Sequence, residues 1–198
     1  MRVLTLALLG AVLVPLSASA QISQGAALPL ADATFAAADG ATVRLGEAMG
    51  ESGLVVVLWS NTCPWSTRYI DRLTALVADY TPAGVSFVFV NSNDPSNERE
   101  SADASREYAA ARGLAAPYLA DRDAALADAL GATNAPHVYF FGPDRRLLYD
   151  GAIDDSPADV ARVQAAYLRL AMDQSIAGLP IEVQRTQAFG CTIKRTGS

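Results

Sequence analysis

The sequence predicts an α/β fold in which helices cover both faces of a mixed central sheet, and three observations carry that prediction. Residues 54–59 and 85–90 are near-continuous apolar runs, the pattern of buried strands rather than the alternation of a half-solvated one. Between them Ile70, Leu73, Leu76 and Val77 recur at helical spacing across residues 65–80, which gives the order strand, helix, strand. Downstream, residues 137–141 and 146–149 flank Gly142-Pro143-Asp144-Arg145, a turn composition that folds two strands into an antiparallel hairpin.

Taken in order, an extended segment at residues 30–36, the turn Asp39-Gly40 and a short strand at residues 41–45 form an N-terminal strand extension. The buried strand at 54–59 leads into the helix at 65–80, which Pro82-Ala83-Gly84 ends. After the strand at 85–90, residues 91–97 are polar and form a loop, residues 101–112 read as a helix that Gly113 stops, and a short extended piece at 117–120 precedes a small helix at 123–130. Beyond the hairpin, Ser156 with Pro157 at the first helical position opens a closing helix, with Val160, Val163, Tyr167, Leu168 and Leu170 along its apolar side. It ends near Gly178. One domain over residues 21–178 and a C-terminal tail over 179–198, carrying Cys191, are therefore expected.

Residues 1–20 stand apart from this domain. Met1-Arg2, an apolar run over 3–16 and the small residues Ser17-Ala18-Ser19-Ala20 read as a signal peptide cut before Gln21. About 14 apolar residues fall short of the roughly 20 that span a bilayer, so no stable membrane anchor is expected after cleavage. The expected location is periplasmic or secreted, where an oxidising compartment lets the two cysteines of the chain pair. The formal net charge of -6 becomes -7 without Arg2, and no basic block interleaved with aromatics occurs. Nucleic acid and anionic membrane surfaces are poor candidates as partners on that ground, and no nucleic-acid partner is expected. Without zinc-type cysteine pairs or a phosphate-cradling glycine loop, and with His137 as the one histidine, no metal or other cofactor is expected.

The chemistry gathers where the first buried strand runs through Ser60-Asn61-Thr62-Cys63-Pro64 into a helix start. A thiol at a helix N-terminus meets unpaired backbone N–H groups and the positive end of the helix dipole, which favour the thiolate and bring its pKa from about 8.5 to roughly 3.5 to 7.5. Cys63 is the candidate reactive thiol. Cys191 has two readings. It is either the resolving thiol, whose disulfide with oxidised Cys63 an external thiol reductant reopens, or half of a permanent bond that ties down the tail and stabilises by about 2 to 4 kcal/mol.

Trp59-Ser60-Asn61-Thr62-Cys63-Pro64, Asn91-Ser92-Asn93-Asp94, residues 131–136 and 149–155, and Gly190-Cys191-Thr192-Ile193-Lys194 together resemble secreted redoxins. These are thioredoxin-like proteins of the alkyl hydroperoxide reductase and thiol-specific antioxidant group, and the resemblance runs in order over nearly the whole chain after residue 20. It implies a thioredoxin-like fold and a thiol oxidoreductase or peroxiredoxin-like peroxidase acting on a peroxide or a protein disulfide. Many members carry Cys-x-x-Cys where this chain has Ser60 and Cys63, so a dithiol relay within the motif is missing. The spacing is similar to the peroxiredoxin arrangement, in which a hydroxyl three residues before the cysteine orients the bound peroxide; that likeness implies the role for Ser60. Val56 stands where the peroxiredoxin motif has proline.

The resemblance also implies a cis peptide bond at Pro136, facing Cys63 and presenting a backbone edge to an extended substrate. His137 follows as a base or hydrogen-bond donor near the sulfur, or as a strand residue turned away from it. Trp59 would pack beside the centre or simply in the core, Arg68 would lie one turn beyond Cys63 or on a solvated face, and Asp154-Asp155 suit the N-terminus of the closing helix. A third reading makes the domain a non-catalytic binding module whose cis-proline edge holds peptides.

Overall fold

A computed structural model of the protein describes residues 21–197; the expected signal peptide lies outside the described residues. The elements are β1 (Thr34–Ala37), β2 (Thr42–Arg44), β3 (Gly53–Trp59), α1 (Pro64–Tyr80), β4 (Val85–Asn91), α2 (Ala102–Arg112), β5 (Tyr118–Ala120), α3 (Ala125–Leu130), β6 (Asn134–Ala135), β7 (His137–Phe141), β8 (Leu147–Gly151), α4 (Tyr167–Ile176) and β9 (Cys191–Thr192). Seven strands form one sheet in the order β2-β1-β5-β4-β3-β7-β8, while β6 and β9 pair separately. β4 lies parallel to β3 and β5, and the other neighbours are antiparallel.

Every residue of β3 is buried, because its alternate side chains feed two cores. Leu54, Val56 and Leu58 join Val88, Val90, Tyr139 and Phe141 on one face, where Leu126, Ala127 and Leu130 of α3 and the early residues Ile22 and Leu28 cover them. Val55, Val57 and Trp59 join Phe87, Phe89, Val138 and Phe140 on the other, beneath α1 and α4. The helical stripe read from sequence, Ile70, Leu73, Leu76 and Val77, is the face that α1 buries. Helices thus cover both faces of a mixed sheet, as expected.

The closing helix is shorter than its signals predict. Ser156 does not cap a helix: its hydroxyl donates to the Asp159 carbonyl at 2.7 Å. The carbonyls of Ser156 and Pro157 accept from Arg72, and that of Ala158 accepts from Arg68, so the acceptors that would begin a helical ladder are already taken. The Asp155 amide donates to the Ala165 carbonyl at 3.1 Å and the Gln164 amide to the Asp155 carboxylate at 2.9 Å, which closes the segment as a loop. The α-helix starts only at Tyr167. Asp154, expected at a helix start, is instead a buried acceptor for the Tyr69 hydroxyl and Arg72 that fastens the loop to α1. Among the described residues no helix is long and apolar enough to cross a membrane.

Asp150 on β8 is fully buried and collects both ends of the described chain. Its carboxylate accepts from Gln21 Nε2 at 2.8 Å, Gln24 Nε2 at 2.7 Å and Arg185 Nη2 at 2.7 Å. Burial alone would raise this carboxyl, but His137 and Arg185 beside it outweigh burial and hold it below the ordinary carboxylate range. Burial pushes His137 below the ordinary imidazole value. The two shifts act in the same direction, since in each case the unfolded chain takes the proton more readily than the folded one. The contribution of these two groups to stability is therefore fully present above about pH 6.5 and is lost on acidification, first through the interval down to the depressed His137 value, then again below about pH 3.9 as Asp150 follows. Urea unfolding followed from about pH 7.5 to about pH 3 should show a falling midpoint, with Asp150→Asn removing the lower step. An unchanging midpoint over that range would contradict the assignment.

Candidate functional site

Cys63 is the N-cap of α1 (φ -75°, ψ 121°), with Pro64 at the first helical turn. Proline fits there because the missing N–H would have no helical partner in any case. The cysteine is 1% exposed, and its Sγ lies 3.3 Å from the Ala135 carbonyl oxygen. The Ala135-Pro136 peptide bond is cis. Cys63 and Cys191 are joined in a disulfide, with Cα atoms 5.9 Å apart across 128 residues of chain, inside the separation a disulfide can bridge.

The loop that delivers Cys63 is held by a residue the sequence reading missed. Glu100 is 4% exposed, and its carboxylate accepts from Ser60 Oγ at 2.7 Å, Thr62 Oγ1 at 2.6 Å, the amides of Asn61 and Thr62 at 3.1 Å each, and Asn91 Nδ2 at 2.9 Å. Five donors converge on one buried carboxylate, which is how a protein dissolves such a charge without a cation. The Ser60 proton is committed to Glu100, and among the described residues no hydrogen bond runs from Ser60 to Cys63. Ser60 thereby ties the 60–62 loop to Glu100. Glu100 sits in the charged run Asn97-Glu98-Arg99-Glu100, which reads as solvated surface and carries no signal of burial.

His137 begins β7 opposite Leu58. Strand alternation puts it on the face of Tyr139 and Phe141, whereas α1 covers the face of Val138 and Phe140. Its ring stacks on Tyr139 with centroids 4.3 Å apart, Nδ1 lies 3.1 Å from the Tyr139 hydroxyl, and Nε2 lies 3.9 Å from Asp150. The imidazole thus stands between the Tyr139 ring and Asp150. Trp59 is fully buried against the edges of Phe89 and Tyr108, a core position. Arg68 donates to the Ala158 carbonyl and lies over the Trp65 ring.

The tail around Cys191 is docked on both sides of the cysteine. Before it, Arg185 pairs with Asp150, Thr186 Oγ1 bonds the Tyr149 hydroxyl and the Ala152 amide, and Phe189 packs edge-on against Trp65. After it, Ile193 is buried, the Lys194 amide donates to Asn93 Oδ1 at 3.0 Å, the Lys194 carbonyl accepts from the Asp94 amide, and Arg195 pairs with Asp128. The polar motif Asn91-Ser92-Asn93-Asp94 is thereby accounted for: Asn91 serves Glu100, while Asn93 and Asp94 seat the tail. Between these anchors β9 pairs antiparallel with β6, Cys191 opposite Ala135. The backbone edge beside the cis-proline is filled by the chain's own tail.

Gly190 is what lets the tail approach, because a Cβ there would overlap the Ala135 carbonyl and the Pro136 nitrogen. Gly190→Ala should push β9 off β6 by an overpacking cost of about 1 to 3 kcal/mol, slowing re-formation of the disulfide about tenfold or more with the far-UV circular dichroism unchanged. An unaltered reoxidation rate would show that the close approach is not needed.

A profile of the AhpC/TSA family matches residues 25–149. The chain belongs to the AhpC/TSA family. An uncharacterized conserved protein of Geobacillus kaustophilus superposes with a TM-score of 0.81 at 32% identity, covering 89% of this chain and 94% of that one. A hypothetical protein of Sinorhizobium meliloti 1021 gives 0.82 at 30%, covering 90% and 98%. The peroxidoxin BcpB of Mycobacterium tuberculosis shares the fold, with a TM-score of 0.59 at 14% identity over 80% of this chain and 98% of that one. No curated protein matches the chain. AhpC/TSA membership points to thiol oxidoreductase or peroxiredoxin-like activity. Cys63 lies inside the matched span of this AhpC/TSA protein and Cys191 beyond it.

Proposed function

We propose that this AhpC/TSA protein is an exported two-cysteine reductase in which Cys63 is the reactive thiol and Cys191 its resolving partner, carrying electrons from an external thiol to a peroxide. The observation that carries the reading is the seating of Cys191. Contacts on both sides of it hold the tail without the covalent bond, so opening the disulfide leaves the second sulfur beside the first at high effective concentration.

In the cycle the Cys63 thiolate, favoured by the start of α1, attacks one peroxide oxygen and expels the other as alcohol or water. Cys63 becomes a sulfenic acid. The Cys191 thiol then attacks that sulfur, water leaves, and the disulfide forms. Two external thiols restore the dithiol and leave as their own disulfide. A small oxidant suits the site better than a protein disulfide, because the edge by Pro136 that an extended peptide would pair with is occupied by β9. Residues 1–20 support export to the periplasm or beyond, where a sulfur pair can cycle.

A second reading, a binding module with a structural disulfide, is favoured by the burial of Cys63. Redox titration of the Cys63-Cys191 pair, run beside thiol-dependent peroxide consumption, separates the two. Turnover with a titratable potential supports the reductase; a potential below about -300 mV without peroxide or disulfide turnover supports the staple. Turnover of a protein disulfide but not of a peroxide would keep the sulfur roles and replace the substrate.

A further inference from the structure

Behind the tail segment that leads to Cys191 lies a cavity of about 550 Å³, for which the sulfur chemistry above has no use. Its wall includes Thr133 and Asn134 before the cis-proline, His137, and Arg185 and Gln187 of the tail. His137 is the informative member. It is 6% exposed, and its Nε2 has no hydrogen-bond partner, an uncommon state for a buried polar atom. Nδ1 is engaged by the Tyr139 hydroxyl at 3.1 Å. A phenol is the better donor of that pair and a bare imidazole nitrogen the better acceptor, so the network assigns the ring proton to Nε2, which faces Asp150 from 3.9 Å, beyond hydrogen-bond distance, and so makes no hydrogen bond in the protein.

Arg185 supplies a second donor. Its Nε and Nη2 are used on Asp150 and the Ile22 carbonyl, while Nη1 makes no hydrogen bond among the described residues. The exposed Gln187 amide adds a third polar group at the rim. Convergent N–H donors, one of them cationic, match a carboxylate. Because Asp150 already offsets the Arg185 charge, the site suits one carboxylate of modest affinity rather than a polyanion.

The cavity reaches the strand pair that carries Cys191 through one wall residue. Asn134 in its wall pairs with Thr192 and donates through Nδ2 to the Gly190 carbonyl at 3.2 Å, so it stands one strand position from the Ala135 and Cys191 pair. Cys191 is partly exposed and Cys63 is buried, so an incoming sulfur meets Cys191 first. We propose that this cavity takes the carboxylate of a low-molecular-weight thiol and delivers its sulfur to Cys191, which makes a small carboxylate-bearing thiol the external reductant.

The inference rests on the reading that an external thiol opens this disulfide. The thiolate attacks Cys191 Sγ, the bond between the cysteines breaks, and its electron pair leaves on Cys63 as a thiolate at the start of α1, a good leaving group. A second thiolate then attacks the mixed disulfide on Cys191 and releases the Cys191 thiolate and the oxidised small thiol. The protein gains two electrons and two small thiols lose them.

The test uses the oxidised protein and S-methylglutathione, which bears carboxylates and cannot exchange, with its diethyl ester as the control. Binding followed by NMR or calorimetry should be saturable for the acid and absent for the ester. His137→Phe, which keeps the ring stack on Tyr139, should weaken it about tenfold, and the surface change Gln187→Ala about threefold. In kinetics, reduction by glutathione should saturate and lose saturation in His137→Phe, while 2-mercaptoethanol, which has no carboxylate, should reduce each protein at a rate linear in concentration. Equal binding by wild type and both variants, or equal binding of acid and ester, would overturn the site. Probe binding without exchange by any thiol would overturn delivery to Cys191 together with the redox reading. Rapid reduction by 2-mercaptoethanol with no probe binding would overturn the cavity's role alone.

Discussion

Cys63→Ser is expected to abolish thiol-dependent peroxide consumption, by about a thousandfold or more, because no other sulfur stands at the start of α1. Cys191→Ser is expected to behave differently. Its Cys63 still meets one equivalent of peroxide, but with no resolving thiol the sulfenic acid persists, and the protein gains one oxygen by mass or a mixed disulfide when a thiol is supplied. Mass spectrometry after a single equivalent of oxidant distinguishes the two variants. Full turnover by Cys63→Ser, or equal turnover by Cys191→Ser and wild type, would remove these sulfurs from their roles. Because non-covalent anchors flank Cys191, both variants should stay folded, with the loss of the loop constraint costing about 2 to 4 kcal/mol.

Glu100→Gln is expected to carry the largest stability cost away from the sulfurs. The carboxylate offers only acceptors to five donors, and an amide turns one of its two oxygens into an NH₂ that faces donors. At least two donors on the 60–62 loop or Asn91 then lose their partner, at about 1 to 3 kcal/mol for each that stays buried. Urea unfolding should therefore show a loss of about 2 to 5 kcal/mol. The loop also sets where Cys63 enters α1, so disulfide exchange should slow as well, and Glu100→Asp, which keeps the charge with a shorter reach, should recover part of it. A variant with wild-type stability would mean that these hydrogen bonds are replaceable by solvent.

The readable parts of this chain were those set by periodicity. β3, β4 and the stripe of α1 repeat at the spacings that two-sided and one-sided burial impose, and the structure follows them. The closing helix misled because its local signals, Ser156 and Pro157, compete with two arginines 80 and more residues away, and capping chemistry has no term for Arg68 and Arg72 taking the carbonyls. Cys63 was legible as a strand-to-helix thiol. Glu100 was not, since its burial depends on five donors gathered from two separate segments, and nothing in the run from Asn97 to Glu100 distinguishes it from its exposed neighbour Glu98. The direction of His137 depends on which face α1 covers, a tertiary fact that strand alternation turns into geometry only once the sheet is assembled.

The bond from Cys63 to Cys191 closes a covalent ring around most of the domain, and Phe189, two residues before Cys191, is 52% exposed although its ring packs on Trp65. A protease that cuts beside Phe189 would sever the backbone without freeing the last residues. In the oxidised protein the clipped end stays tethered through sulfur; in the reduced protein only Ile193 and its neighbours keep it in place. The same nick is therefore silent in one oxidation state and separates into two chains in the other, so limited proteolysis run with and without reductant would read the state of the sulfur pair directly from fragment sizes.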